Sequence, residues 1–136
     1  MKNEKKRLKE EYKRGVRPMG VFLIRNTSND RVFVASGLDL AGKMNRHKFE
    51  LTSGKHKNRE LQADWDALGG ERFAFEIVDQ IEPRDAPGFD ARAELAFLEE
   101  MWLEKLRPFG ERGYNEPRRS REEKLRRIAS NRSGDF

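Results

Sequence analysis

Two short runs of aromatic and β-branched residues, separated by a polar segment, constrain the fold of this chain most strongly. Residues 20–24 read GVFLI and residues 32–35 read VFVA, while residues 25–31 between them read RNTSNDR. Aromatic and β-branched residues favour strands, whereas Asn, Asp and Ser favour turns. The pattern therefore predicts a β-hairpin near the start of the chain.

Three helices and one more strand are predicted after the hairpin. Asp39, Asn58 and Asp90 are suited to cap helices, because a carboxylate or amide oxygen can accept hydrogen bonds from free backbone N–H groups. Leu40, Met44, His47 and Leu51 share one face of the first helix. Residues 72–79 alternate in polarity, which is typical of a strand, and the third helix ends before Pro108. The predicted order is hairpin, two helices, strand and helix.

The charge is divided unevenly along the chain. Residues 1–18 contain eight Lys or Arg against three Asp or Glu, and residues 116–136 contain seven against four, so residues 19–115 have a net charge of −3. We therefore expect basic helical extensions at 1–18 and 116–136 around a domain at 19–115. Clustered Lys and Arg favour nucleic-acid binding, although solvated helical arms have the same composition.

Several classes of protein are disfavoured by composition. The chain has no cysteine, which excludes disulfides, thiolate metal sites and a cysteine nucleophile, and suits a reducing compartment. No apolar run approaches the length of a membrane span, and the charged N-terminus lacks the apolar core of a signal peptide. We expect a cytoplasmic protein with no membrane partner.

Glu99 is a charged residue on the apolar side of the third predicted helix. On a helical wheel it falls within the apolar arc that includes Leu95, Leu98 and Trp102, whereas Glu100 points away. A carboxylate on a core-facing stripe must be paired, reach water at the rim, or bind a metal, because burying it bare is very costly. The sequence leaves these alternatives open.

A basic patch lies between the hairpin and the second predicted helix. Its members are Lys43, Arg46, His47, Lys48, Lys55, His56, Lys57 and Arg59, against the single acid Glu50. Lys43 and His47 are four residues apart and project from the same side of a helix. The pair of histidines alone is weak as a metal site, because it lacks the spacing of zinc motifs.

These features together resemble the GIY-YIG nuclease family, in which two strand motifs supply the name. Residues 20–22 (GVF) and 33–36 (FVAS) stand in the places of the two motifs. Other short motifs that resemble those of the family follow in the same order: Asp39-Leu40, Arg46-His47, Gly54-x-His56, Leu61-Gln62-x-x-Trp65, Gly69, Phe73-x-Phe75-Glu76-Ile77, Glu99-x-x-Trp102 and Gly113-Tyr114-Asn115. Each motif alone is weak evidence for the family, but the whole set in the family's order is much more specific evidence.

The resemblance implies an α+β fold with a small three-stranded antiparallel sheet flanked by helices. It also implies an enzyme that cuts DNA with one divalent metal ion. The metal-binding glutamate of the family matches Glu99, so Mg²⁺ or Mn²⁺ is expected if the protein is active. The signature tyrosines fall on Phe22 and Phe33, and the arginine that steadies the phosphate falls on Lys43. No small-molecule cofactor is expected, and the oligomeric state is open.

The departures from the family are chemical. Phenylalanine keeps the ring but lacks the hydroxyl that accepts a proton or holds a water. Lysine keeps the charge but lacks the planar fork of arginine. His47 is a possible replacement for the lost base. Asn115 and the basic patch remain, and are expected to contact nucleic acid.

Three hypotheses follow from the sequence. The first is a nuclease-like DNA-binding protein in which cleavage is weakened or lost. The second is an active metal-dependent endonuclease with Glu99, His47 and Lys43 at the catalytic centre. The third is a protein-interaction domain whose basic arms bind an acidic partner.

Overall fold

The computed structural model describes residues 17–82 and 86–117. Within these ranges the chain forms β1 (Met19–Asn26), β2 (Val32–Gly37), α1 (Leu40–Thr52), α2 (Arg59–Leu68), β3 (Phe73–Ile81) and α3 (Ala91–Leu106). Single 3-10 turns occur at Gly70–Arg72 and Gly110–Arg112. The order of elements is the predicted one.

The three strands form one antiparallel sheet with the order β2-β1-β3. Phe22 pairs with Ala35 and Ile24 pairs with Phe33, so these side chains lie on the same face of the hairpin. A register shift in the pairing of β1 with β3 falls at Val21 and Phe22. The strands run longer than the apolar runs suggest, because backbone pairing continues into the polar flanks.

Helices cover both faces of the sheet, which makes a three-layer α+β fold. On one face a core packs under α1 and α2, and it contains Phe22, Ile24, Ala35, Leu40, Leu51, Leu61, Phe73 and Tyr114. On the other face a smaller core packs under α3, and it contains Val21, Leu23, Val32, Val34 and Leu103. Successive residues of β2 therefore point to different cores.

The predicted helix caps are confirmed. Side chains of Asp39, Asn58 and Asp90 accept hydrogen bonds from backbone N–H groups three residues later in the chain. Arg107, in the left-handed conformation with φ of 43°, ends α3 immediately before Pro108. These ends are set by local chemistry, which explains why the sequence predicts them.

A polar network joins the hairpin turn to the end of the domain. Arg31 forms ion pairs with Glu60 and Asp64 and lies over the ring of Tyr114, 4.2 Å from its centroid. The Tyr114 hydroxyl donates to Asp64 over 2.6 Å and accepts from Asn26 over 3.0 Å. The network fixes the segment that follows α3 against α2 and the hairpin.

The predicted basic helical extensions lie almost entirely outside the described residues. In the part of the chain that the structure covers, no helix combines the length and the apolar character that a membrane span requires.

Candidate functional site

An open cleft of about 400 Å³ runs between α1, the loop that precedes α2 and the segment after α3. It lies beside Phe33 of the edge strand β2. The polar side chains at the cleft come from three separate parts of the chain: Lys43, Arg46, His47 and Glu50 from α1, His56, Lys57 and Asn58 from the loop, and Asn115 and Glu116 from the end of the domain.

The two histidines meet on the wall of this cleft. His47 Nδ1 lies 2.7 Å from His56 Nε2, and the backbone N–H of Asn58 donates to His56 Nδ1 over 3.0 Å. His56 is only 3% exposed, whereas His47 is half-buried. Burial, with the neighbouring His56 and the charge of Lys43, lowers the pKa of His47 to about 4. Both rings are therefore neutral at physiological pH, since burial also lowers the pKa of His56.

The two phenylalanines at the signature positions pack against this histidine pair. The rings of Phe22 and Phe33 lie 5.5 and 5.8 Å from the ring of His47, measured between centroids. Phe22 is fully buried and also stacks with Phe75 at 6.5 Å, whereas Phe33 is half-buried and lines the cleft. Neither ring carries a hydroxyl, so both act here as apolar contacts.

The basic patch divides into two groups. Lys43, Arg46 and Lys57 line the cleft, whereas Lys48, Lys55 and Arg59 are exposed residues outside its lining. Arg46 forms an ion pair with Glu50 over 3.5 Å.

Lys43 approaches the end of β2 closely. A Cβ atom at Gly37 would lie 2.9 Å from the Cβ atom of Lys43, so glycine lets α1 approach the strand. Lys43 has no ion pair within the described ranges, and this half-buried residue lines the cleft. It is thus a cation available to an anionic ligand.

Glu99 lies on α3, which packs on the opposite face of the sheet from α1. Its carboxylate accepts a hydrogen bond from the Ser36 hydroxyl over 3.0 Å, and Ser36 is on the edge strand that also carries Phe33. No Lys or Arg in the described part of the chain forms an ion pair with Glu99. Glu99 is half-buried, and it is not among the residues that line the cleft.

A metal at Glu99 would take few of its ligands from the described side chains. Among residues 17–82 and 86–117, no three His, Cys, Asp or Glu side chains are placed to hold a metal ion together. Mg²⁺ commonly binds one or two carboxylates and takes its other ligands from water and substrate phosphates. One oxygen of Glu99 bonds Ser36 and the other has no described hydrogen-bond partner, so the carboxylate fits that role.

Asn115 uses its side-chain amide to extend the sheet. It accepts from the Val34 N–H over 2.8 Å and donates to the Val34 carbonyl over 2.9 Å. One N–H of the amide remains for a ligand in the cleft. Contact between Asn115 and nucleic acid stays a prediction, and its observed contacts are structural.

Ser36, Asn58 and Tyr114 shape the site without standing out in the sequence as candidate site residues. Ser36 holds Glu99, Asn58 holds His56 through its backbone, and the carbonyl of Tyr114 accepts from the Asn58 amide. Asn58 was marked by its helix-capping position, and Ser36 and Tyr114 lie within family motifs, but their contacts could not be predicted because they join residues far apart in the chain.

Two solved structures are similar in fold to this chain, and both are catalytic domains of I-TevI. The catalytic domain of homing endonuclease I-TevI is 26% identical, with a TM-score of 0.60, and the match covers 74% of this chain and 99% of that domain. A variant of the catalytic domain of intron endonuclease I-TevI, in which a glutamate is replaced by alanine, is 24% identical with a TM-score of 0.61. That match covers 76% of this chain and 97% of the other.

No family model and no curated protein matches the chain. The structural likeness spans nearly the whole catalytic domain of a GIY-YIG nuclease, and it includes the three-stranded antiparallel sheet with its helices. The expectation of fold from the sequence motifs is confirmed. The protein therefore has the α+β, nuclease-like fold of the GIY-YIG endonucleases.

Proposed function

We propose that the protein is a GIY-YIG nuclease-like DNA-binding protein whose phosphodiester cleavage is weakened or lost. The observation that carries the proposal is that phenylalanine occupies both signature positions, with Phe33 on the lining of the cleft and Phe22 buried against His47, while the cleft keeps its cations. Lys43, Arg46 and Lys57 line that cleft. A site of this composition attracts a phosphate but has no tyrosine hydroxyl to assist the attack of water.

The cation arrangement supports a phosphate ligand. Lys43 lines the cleft and forms no ion pair within the described ranges, so its charge is available to an incoming anion. Lys48, Lys55 and Arg59 are exposed and would contact the backbone further along the duplex.

Loss of the tyrosine hydroxyls supports weak chemistry. General-base assistance typically contributes about 10²- to 10⁴-fold to a rate. In the described part of the chain, the groups that line the cleft include no tyrosine, and the buried ring of Phe22 cannot be reached by solvent. Glu99 would hold Mg²⁺ or Mn²⁺, which acts as a Lewis acid on a phosphate oxygen when bound.

An active endonuclease is the second candidate, because the free oxygen of the Glu99 carboxylate keeps the metal-binding feature of the fold. The experiment is incubation of the full chain with supercoiled and branched DNA in Mg²⁺ or Mn²⁺, with binding measured on the same samples. We expect binding without cleavage. Cleavage that disappears in Glu99→Ala but persists in Glu100→Ala, its exposed neighbour, would establish the enzyme instead.

Salt dependence separates DNA binding from a protein-interaction domain. Phosphate contacts release counterions, so the logarithm of DNA affinity falls linearly with the logarithm of salt concentration. We expect Lys43→Ala to weaken binding and to reduce the magnitude of that slope by about one. No measurable DNA binding at low salt would favour an acidic protein partner.

A further inference from the structure

We infer that His56 and the backbone of Asn58 hold His47 as the neutral tautomer with its proton on Nε2, so that His47 donates a hydrogen bond to a phosphate oxygen in the cleft. This inference rests on the proposed function for its ligand. It assigns the opposite hydrogen-bonding role from a substitute general base. His56 is then a positioning residue that acts through His47.

The backbone N–H of Asn58 determines the tautomer of His56. The backbone N–H of Asn58 can only donate, and it points at His56 Nδ1 over 3.0 Å. His56 Nδ1 is therefore unprotonated. Because a neutral imidazole carries one proton, the proton of His56 is on Nε2.

The tautomer of His56 in turn determines that of His47. His56 Nε2 lies 2.7 Å from His47 Nδ1, and a hydrogen bond at this distance needs one donor and one acceptor. Since the proton is on His56, the Nδ1 atom of His47 accepts. The proton of neutral His47 is then on Nε2, the nitrogen that has no hydrogen-bond partner within residues 17–82 and 86–117.

The other protonation states of His47 are disfavoured by the same contact. A proton on Nδ1, in the alternative tautomer or in the imidazolium, would face the N–H of His56. Three neighbouring groups, Lys43, Arg46 and His56, also oppose a positive charge on the ring, while Glu50 favours it. Burial is the largest effect and acts against the charge, which agrees with the lowered pKa of this histidine.

The surroundings of His47 suit a phosphate oxygen. His47 lines the cleft with its ring 5.8 Å from that of Phe33, and Lys43 and Lys57 line the same cleft. A neutral N–H donor beside these cations orients a phosphate oxygen, because a hydrogen bond is directional whereas the attraction between charges is not. Because Nε2 already carries its proton, it has no lone pair to take a proton from water.

The tautomer is measurable in the free protein without any ligand or activity. In the full chain labelled with ¹⁵N-histidine, long-range ¹H–¹⁵N spectra distinguish protonated from unprotonated ring nitrogens, and the spectrum of His47→Gln assigns the signals. We expect both histidines to carry the proton on Nε2 at pH 7, and His47 to remain neutral at pH 5.5. A proton on Nδ1 of His47, or an imidazolium at pH 7, would overturn the inference.

The positioning role of His56 has its own readout. In His56→Ala the acceptor constraint on His47 is removed, so we expect a mixture of its two tautomers and a rise of its pKa towards the ordinary value of about 6.5. An unchanged tautomer and pKa of His47 in a folded His56→Ala protein would show that His56 does not set them.

The donor role is tested with a short DNA duplex at fixed salt. Glutamine keeps an N–H donor but is no base, and leucine keeps neither. Loss of one hydrogen bond of about 1 kcal/mol corresponds to about a fivefold loss of affinity, so we expect His47→Leu to weaken binding by about that factor and His47→Gln to weaken it less. We also expect wild-type affinity to be flat between pH 6 and 8.

The outcomes separate the two proposals. Wild-type protein that binds DNA while His47→Leu binds equally well would overturn the donor role and leave the proposed function intact. Absence of DNA binding by the wild type would overturn the proposed function and, with it, the phosphate ligand of His47. The spectra of the free protein decide the tautomer in either case.

Discussion

Removal of one buried hydroxyl, in Tyr114→Phe, tests how the end of the domain is fixed. Tyr114 is 3% exposed, and its hydroxyl donates to Asp64 over 2.6 Å while accepting from Asn26 over 3.0 Å. Burial and the bond to Asp64 raise the pKa of Tyr114 to about 12, so the hydroxyl is protonated at all ordinary pH values. The variant deletes both hydrogen bonds and leaves the ring in place.

The size of the effect follows from the two partners that remain. Asn26 is 0% exposed, and a buried donor left without an acceptor costs about 1 to 3 kcal/mol. Asp64 loses a charge-assisted bond but keeps its ion pair with Arg31, so its loss falls at the lower end of about 1.5 to 3 kcal/mol. We expect Tyr114→Phe to lower the free energy of unfolding by about 2 to 4 kcal/mol.

Urea unfolding monitored by tryptophan fluorescence measures this change. Ser53→Ala is the matched control, because its exposed hydroxyl bonds only to backbone carbonyls of its own helix, and we expect a change within about 0.5 kcal/mol. A Tyr114→Phe protein as stable as that control would refute the assignment of the hydroxyl as a buried structural link.

Three further predictions concern the sheet and its histidine. The pKa of His47 is about 4 in the folded chain, against about 6.5 when unfolded. The free energy of unfolding should therefore fall by about 1 to 2 kcal/mol as the pH drops from about 6.5 to about 4, a value discounted for partial exposure of the ring. Urea midpoints of wild type and His47→Gln at each pH measure this fall. In Gly20→Ala a Cβ atom would lie 2.0 Å from the Asp79 carbonyl oxygen, so thermal unfolding should show destabilisation of more than about 1 kcal/mol. Phe33→Tyr places a hydroxyl at the cleft, so it should preserve the melting temperature, whereas Phe22→Tyr buries a hydroxyl and should lower it. Metal-dependent DNA cleavage should rise more in Phe33→Tyr than in Phe22→Tyr. Equal effects of the two variants would contradict the difference in exposure.

The sequence predicted the elements well because local chemistry sets them. The hairpin, the three capped helices and the alternating third strand each depend on residues within a few positions of one another. The half-buried placement of Glu99 was also predictable from the helical wheel. Its partner was not, because the Ser36 hydroxyl is 63 residues away and no charge marks it.

The geometry of the histidine pair could not be predicted from the sequence either. His47 and His56 are only nine residues apart, but their ring contact depends on how the loop folds back after α1. Gln62 holds that loop, since its side chain accepts from the His56 N–H and donates to the Leu51 carbonyl. Nothing in the spacing of the histidines shows which nitrogen donates, because Asn58 supplies that constraint through its backbone.

The clamp between Asn115 and Val34 has a consequence for folding. It joins residues 81 positions apart, so the chain must bring the two ends of the domain together before the clamp can form. Closing so long a loop costs entropy before any contact is gained. We therefore expect the cleft rim to form late in folding and to open first under mild denaturant. Hydrogen exchange at the Val34 amide measures that opening, and exchange as slow as at the central β1 amides would show that rim and sheet unfold together.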